Sequence, residues 1–326
     1  MGYNRENFRR IKEEYETKYL RAREAADRRR AEVELALPEV AEIDRAMRQT
    51  GVELLRIAVG GGPNAAARLA ALREQNESLQ ATRRELLEAN GYPADYTEPH
   101  YECPLCGDTG YVDTRMCDCM RRALIDAGFE SSGLGRLVGT QTFENFTGDY
   151  YRQNPEQYAM MRRNYELLYR FAHDFRAGQG KNFLLLGGTG LGKTHLSSAA
   201  ARVVIERGYD VCYVTAVGMI ADYEYDRFKS GRDEQSGAAL DRYADCDLLI
   251  IDDLGTEVVN QFTVSVLYHL INTRLNRGLS TMINTNLSQK ELRERYWDRI
   301  TSRIFGEYQI LLFSGTDVRM QKLKQG

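Results

Sequence analysis

The stretch "NFLLLGGTGLGKTHLSSAAARVVIERG", residues 182–208, constrains this chain more than any other. A short apolar run meets a glycine-rich turn, and an Ala-rich run of helical character follows. Within it "GGTGLGKT", residues 187–194, satisfies G-x-x-x-x-G-K-[ST] in full. A strand before the motif and a helix after it are the context a phosphate-binding loop needs. Gly187, Gly188, Gly190 and Gly192, with Thr189 and Leu191 between them, let the backbone curl so that N–H groups face phosphate oxygens. The helix that opens there adds its positive end. Lys193 can reach the β- and γ-phosphates, and Thr194 offers a hydroxyl to Mg²⁺. The implied ligands are ATP and Mg²⁺.

From about residue 181 short apolar runs alternate with helical segments, the pattern of a parallel sheet with crossover helices. The runs are 182–187, 210–216, 246–253, 279–284 and 308–313, which predicts a five-stranded α/β domain in three layers. The third run, "LLIIDDLG" (248–255), ends in two carboxylates. A buried parallel strand tolerates charge only at its carboxyl end, where α/β ligand sites form. Asp252 is placed to hold Mg²⁺, and Asp253 to polarise an attacking water. An acidic pair after four apolar residues favours an ATPase with an additional strand between its two motif strands over a kinase or a small GTPase. The next run, "LSTMINTN", ends in polar groups. Asn286 is the candidate to orient the water, with Asn284 and Thr285 as neighbouring competitors.

The ordered set "LLLGGTGLGKTHLSSAAA", "VCYVTA", "LLIIDDLG", "TMINTNL" and "RYWDRITSRIFG" resembles the AAA+ ATPases, specifically bacterial helicase loaders of the DnaC and DnaI type and IstB-like transposition ATPases. The resemblance covers about residues 140–326, and "FENF" (143–146) followed by "YY" looks like the family's lead-in segment. It implies a P-loop AAA+ domain that hydrolyses ATP with Mg²⁺, with Asn286 as sensor 1. It makes Arg299 and Arg303 the candidates for an arginine finger reaching a neighbouring subunit, and Arg319 a sensor 2 residue. Self-association through the ATPase domain follows, as do a hexameric replicative helicase and single-stranded DNA as partners. The last strand ends 13 residues before the last residue, which suits loaders and IstB-like proteins better than DnaA-type initiators.

Residues 219–246 interleave Tyr223, Tyr225 and Phe228 with Arg227, Lys229 and Arg232. Aromatics can stack bases while cations track phosphates, a combination that holds single strands. In the resembled loaders this insertion lines a path for single-stranded DNA. The competing reading is an amphipathic helix whose aromatics pack on the core, since Asp222, Glu224 and Asp226 dilute the patch. The net charge of −3 gives no global basic surface for nucleic acid.

Upstream, residues 1–99 read as a helical module suited to docking a partner. Phe8, Ile11, Tyr15, Lys18, Ala22 and Ala25 share one face, and Pro38 interrupts. A third helix sets Leu72, Leu79 and Leu86 on one heptad position and Leu69, Asn76 and Arg83 on the other, and stops at Asn90 and Gly91. Residues 100–122 form a cysteine segment, and residues 123–180 a linker with lead-in helices before the ATPase domain at 181–326. The segment "CPLCGDTGYVDTRMCDC" gives Cys-x-x-Cys, ten residues, then Cys-x-Cys. Cys103, Cys106, Cys117 and Cys119 can close a tetrahedral structural Zn²⁺ site. Cys212 and Cys246 lie on or beside apolar strands and read as core. Without an apolar leader or an 18-residue apolar run, the chain is expected to be cytoplasmic, with no membrane partner and with reduced cysteines.

Overall fold

The computed structural model describes residues 2–60, 64–229 and 238–325. The chain divides into two compact units, Lys12–Cys119 and Met1–Ile11 with Met120–Gly326.

The first of these units is built on α1 (Arg5–Ala36), α2 (Pro38–Gly60) and α3 (Ala65–Ala89). Of the face predicted for α1, Tyr15 is buried and Lys18, Ala22 and Ala25 are half-buried, while the burial further along the helix falls on Ala26 and Val33. Pro38 begins α2, where its missing N–H costs nothing. The polar residues at heptad positions of α3 find partners on α2. Arg83 Nε donates to Asp44 Oδ1 at 2.6 Å, and Asn76 meets Thr50 at 3.5 Å. The helices therefore pack as a hairpin on themselves. Leu87 joins Val33 and Val40 in a small core closed by Tyr92 and Tyr96. Gly91, at φ 81°, ends α3 and lets Tyr92 N bond Leu87 O at 2.9 Å. A hairpin of β1 (Tyr111–Val112) and β2 (Arg115–Met116) lies between the two cysteine pairs.

Then come α4 (Asp118–Ser131), α5 (Leu137–Thr140) and α6 (Pro155–His173), the last capped by Asn154, whose side chain accepts from Glu156 N and Gln157 N. The parallel sheet follows as β3 (Asn182–Gly187), α7 (Lys193–Glu206), β4 (Val211–Thr215), α8 (Ala216–Lys229), α9 (Ala238–Asp245) and β5 (Leu248–Leu254). It continues with α10 (Gln261–Asn276), β6 (Ser280–Thr285), α11 (Gln289–Arg295), α12 (Asp298–Glu307), β7 (Tyr308–Phe313) and α13 (Val318–Gln325).

All five strands are parallel, in the order β4-β5-β6-β3-β7. β6 separates the loop strand β3 from the acidic strand β5, the additional-strand arrangement expected from the sequence. Period-two alternation sends Phe183 and Leu185 into one layer and Leu184 and Leu186 into the other. α6 and α7 cover the first face, while α8, α10 and α12 cover the second. The result is the three-layer αβα AAA+ architecture.

Two features aim the site. β5 carries one extra residue between Ile251 and Leu254, a bulge that breaks its register with β6 at the acidic pair. Asp253 takes a left-handed φ of 53° there, a conformation Asp tolerates better than most residues. At the other face of the sheet's end, Val318 N donates to Gly190 O at 3.0 Å and ties the start of α13 to the phosphate loop.

Candidate functional site

The loop after β3 and the first turn of α7 form the floor of a cleft of about 290 Å³. Gly192 has φ 80° and lies against the Phe146 ring, so both its conformation and its lack of a Cβ are required. Lys193 is 5% exposed. Its ammonium donates to Gly187 O, Gly188 O and Asn286 Oδ1, each at 2.7 Å. Burial pulls its pKa down to about 8, against the opposing pull of Asp253 and Asp252.

Thr194 Oγ1 lies 3.2 Å and 3.3 Å from the two oxygens of Asp252. Asp252 is buried and also accepts from Asn284 Nδ2 at 2.8 Å and from the Tyr213 hydroxyl. Asp253 accepts from Asn286 Nδ2 at 3.3 Å. Its pKa is raised, first by burial and then by the neighbouring Asp252 charge. Of the three polar residues at the end of β6, Asn286 alone among the described contacts bridges the lysine and the second carboxylate. Asn284 is taken up by Asp252 and Ser197, and Thr285 by Leu254 O.

The lead-in segment makes one wall. The Tyr151 hydroxyl donates to Leu191 O at 2.9 Å, and His195 Nε2 lies 2.7 Å from Thr142 O. Gln141, Asn145, Phe146 and Tyr150 of this segment line the cleft, as does Arg319. Arg319 is close enough to affect both Lys193 and Asp253 electrostatically.

The arginine-finger candidates lie outside this cleft, on α12. Arg303 is committed within its own chain: Nε donates to Asn272 Oδ1 at 3.1 Å, and the guanidinium sits 4.6 Å from the Tyr268 ring centre. Arg299 is exposed and its carbonyl accepts from Arg303.

Of the aromatic and basic candidates of α8, the side chains of Tyr223, Tyr225 and Arg227 are described. Tyr223 packs on the core and stacks on Tyr243 at 6.2 Å. Tyr225 is exposed, and Arg227 lies over the Phe262 ring at 5.2 Å. Arg232 and the side chains of Phe228 and Lys229 lie outside the described residues.

In the helical unit, the sulfurs of Cys103, Cys106, Cys117 and Cys119 all lie within 4.8 Å of one another. Cys103 and Cys117 are 3.9 Å apart, and Cys106 and Cys119 are 3.6 Å apart. Zinc bonded to four sulfurs at about 2.3 Å spaces them by roughly 3.8 Å, so the donor set fits a structural zinc ion. Asp108, not singled out in the sequence, shapes the first pair's loop. It is 2% exposed and accepts from Glu102 N at 2.9 Å and Cys103 N at 2.8 Å. Backbone N–H groups beginning with that of Cys106 lower the Cys103 pKa to about 7, while burial pushes Cys119 up to about 12. Cys212 and Cys246 are buried in the core of the sheet-bearing unit.

Other functional contacts also escaped the sequence reading. Tyr213 and Asn284 hold Asp252 from adjacent strands, and a polar residue near the end of an apolar strand was the available signal. Arg274 is fully buried and donates to Thr281 Oγ1, Tyr243 O, Cys246 O and Ser280 O, tying α10 to the start of β5 and β6. No periodicity marks an arginine of that kind.

Sheet order and site together define a P-loop nucleoside-triphosphate-binding domain of the AAA+ class. Residues 171–313 match the family model of the IstB-like ATP binding protein. A putative insertion sequence ATP-binding protein of Sinorhizobium fredii is 33% identical over 129 residues, 40% of each chain. The replicative helicase loader DnaC of Buchnera aphidicola is 23% identical over 173 residues, 53% of this chain and 66% of the relative. A crystal structure of the DnaC helicase loader aligns over 55% of this chain and 100% of its own, with 21% identity and a TM-score of 0.48. The chain thus spans 40% to 66% of the length of these two curated relatives. The resemblance expected from the motifs holds in the family match and in the curated relatives. Among the described residues no helix is long and apolar enough to cross a membrane.

Proposed function

We propose that this protein is an Mg²⁺-dependent ATPase that loads a replicative helicase onto single-stranded DNA. The observation that carries the ATPase reading is the convergence of Lys193, Asn286 and Asp253 at the ends of the three adjacent strands β3, β6 and β5, beside the Thr194–Asp252 pair. Lys193 gives up its carbonyl and Asn286 acceptors to phosphate oxygens when nucleotide enters. Asn286, released on that side, keeps its amide on Asp253 and positions a water between the two. Asp253, with its raised pKa, takes up the proton of that water. Thr194 and Asp252 would hold Mg²⁺, which supplies charge neutralisation at the β- and γ-phosphates.

Arg299 serves as the finger offered to a second copy. Arg303 is held by Asn272 and Tyr268, whereas Arg299 projects from a surface that also exposes Trp297 and Val258. The last two are 55% and 80% exposed, apolar area of the kind a subunit contact covers. Arg319, which lines the cleft, reads the γ-phosphate within its own chain.

The loader reading is supported by similarity to DnaC over more than half of this chain. The self-packed helical hairpin then acts as the docking module for a hexameric helicase, and the four cysteines hold Zn²⁺ as a clip at its end. The region around α8 takes the single strand. A second reading, a transposition helper, is favoured by the 33% identity to the insertion-sequence protein. Capture of partners by ATP-loaded full-length protein separates the two: a hexameric helicase supports the first, a transposase the second. ATPase activity stimulated by single-stranded DNA supports the first further, and an inactive protein removes both.

A further inference from the structure

We infer that Gln141 reads the 6-amino group of adenine and so makes the site specific for ATP over 6-oxo purine nucleotides. The inference rests on the ATP-site reading above and deepens it. Gln141 Oε1 is buried, lines the cleft, and meets no hydrogen-bond donor among the described residues. A buried acceptor without a donor is costly, and native structures rarely keep one unless something outside the chain completes it.

The backbone that carries this acceptor is fixed. Gln141 closes the short helix α5, its N–H bonding Leu137 O at 2.9 Å. The next residue, Thr142, is held through its carbonyl by His195, two positions beyond Lys193 on α7. The wall carrying Gln141 is therefore tied directly to the phosphate loop. Phe146 packs edge-to-face with His195 at 5.3 Å and shares that wall with Asn145 and Tyr150. Flat apolar surface beside a single orphaned acceptor suits a planar base with an N–H donor at its edge. It does not suit a phosphate, which brings only acceptors, and phosphates have Lys193 and the loop N–H groups instead.

Position 6 of the purine decides the outcome. Adenine presents an amino donor there, which Gln141 Oε1 accepts. Guanine and hypoxanthine present a carbonyl, which Oε1 cannot pair, so the amide must turn from its buried position to offer Nε2 instead. A site built around a polar group discriminates strongly because the wrong ligand leaves that group unpaired.

The test uses the full chain and competition binding with ATP, inosine triphosphate and purine riboside triphosphate, which lacks any group at position 6. Wild-type protein is expected to bind ATP about tenfold more tightly than either analogue, the scale of one buried hydrogen bond. Gln141→Ala should lower ATP affinity to that of purine riboside triphosphate and leave the latter unchanged. Gln141→Glu, which keeps an acceptor, should retain the preference. Each result is a ratio within one variant, so a loss of folded protein does not move it. An unchanged ratio in Gln141→Ala, an equal loss for ATP and purine riboside triphosphate, or a wild-type preference for inosine triphosphate overturns the inference while leaving the ATP site standing. A wild-type protein that binds no nucleotide overturns both.

Discussion

Lys193 Nζ and Asn286 Oδ1, 93 residues apart in sequence, meet at 2.7 Å at the ends of the neighbouring strands β3 and β6. The same Asn286 side chain donates to Asp253 at 3.3 Å. One amide thus connects Lys193 to Asp253, the groups proposed to meet the phosphates and the attacking water. Asn286→Ala and Asp253→Asn should each leave ATP affinity within about threefold while reducing turnover by roughly 100-fold or more, as expected for losing a group that acts in the transition state. Equilibrium binding and phosphate release measured on the same preparations check this. Normal turnover in either variant removes that residue from its role.

The lysine also predicts a pH dependence. Burial lowers its pKa to about 8 in the nucleotide-free protein. Bound phosphates favour the ammonium and raise that value, so binding takes up a proton above pH 8. Affinity for ATP should therefore be flat below about pH 8 and fall by up to tenfold per pH unit above it. The stability of the free protein has the opposite sign. The unfolded chain holds this proton up to about pH 10.4, so the lysine favours folding increasingly as pH rises from 8 towards that value. Calorimetric titrations in two buffers of different ionisation enthalpy measure the proton uptake directly.

Arg299 and Arg303 should separate by readout. Arg299→Ala should abolish ATPase activity in the assembled state while leaving thermal stability unchanged. Arg303→Ala should lower stability by about 1 kcal/mol, through the lost Asn272 bond and the Tyr268 contact. Mixing Arg299→Ala with Asp253→Asn chains should restore part of the activity if the arginine acts across subunits. No recovery in the mixture argues against a finger supplied in trans.

The cysteine cluster predicts one zinc ion per chain by elemental analysis. Chelation or a fourfold Cys→Ser substitution should destabilise Lys12–Cys119 and lower its melting temperature. The loop held by Asp108 and the two-residue strands β1 and β2 is too small to fold without the ion. Zinc binding should also release protons, since Cys106 and Cys119 carry raised pKa values. A metal-free protein with an unchanged melting curve removes the assignment.

Arg274→Ala should cost about 3 kcal/mol in urea unfolding. It would leave three buried carbonyls and the Thr281 hydroxyl without their donor. Nucleotide affinity in the surviving folded fraction should be close to wild type, because no bond of Arg274 reaches the cleft.

The amino-acid sequence by itself determined the phosphate loop, the acidic pair, the five strands and the clustered thiols. Each is a local pattern: a loop between strand and helix, a charge at the end of an apolar run, cysteines at ligand spacing. The heptad positions of α3 were equally plain, but what they faced was not. The partners of Asn76 and Arg83, Thr50 and Asp44 opposite them on α2, appear only in the folded chain. Only the tertiary structure decided which of Asn284, Thr285 and Asn286 meets Asp253, because a single bulge in β5 turns that carboxylate towards Asn286. It also separated Arg299 from Arg303, and turned Tyr223 inward against Tyr243. In each case the chemistry of the side chain was legible from the start. Its direction was not, since direction follows from register, bulges and packing between segments far apart in the chain.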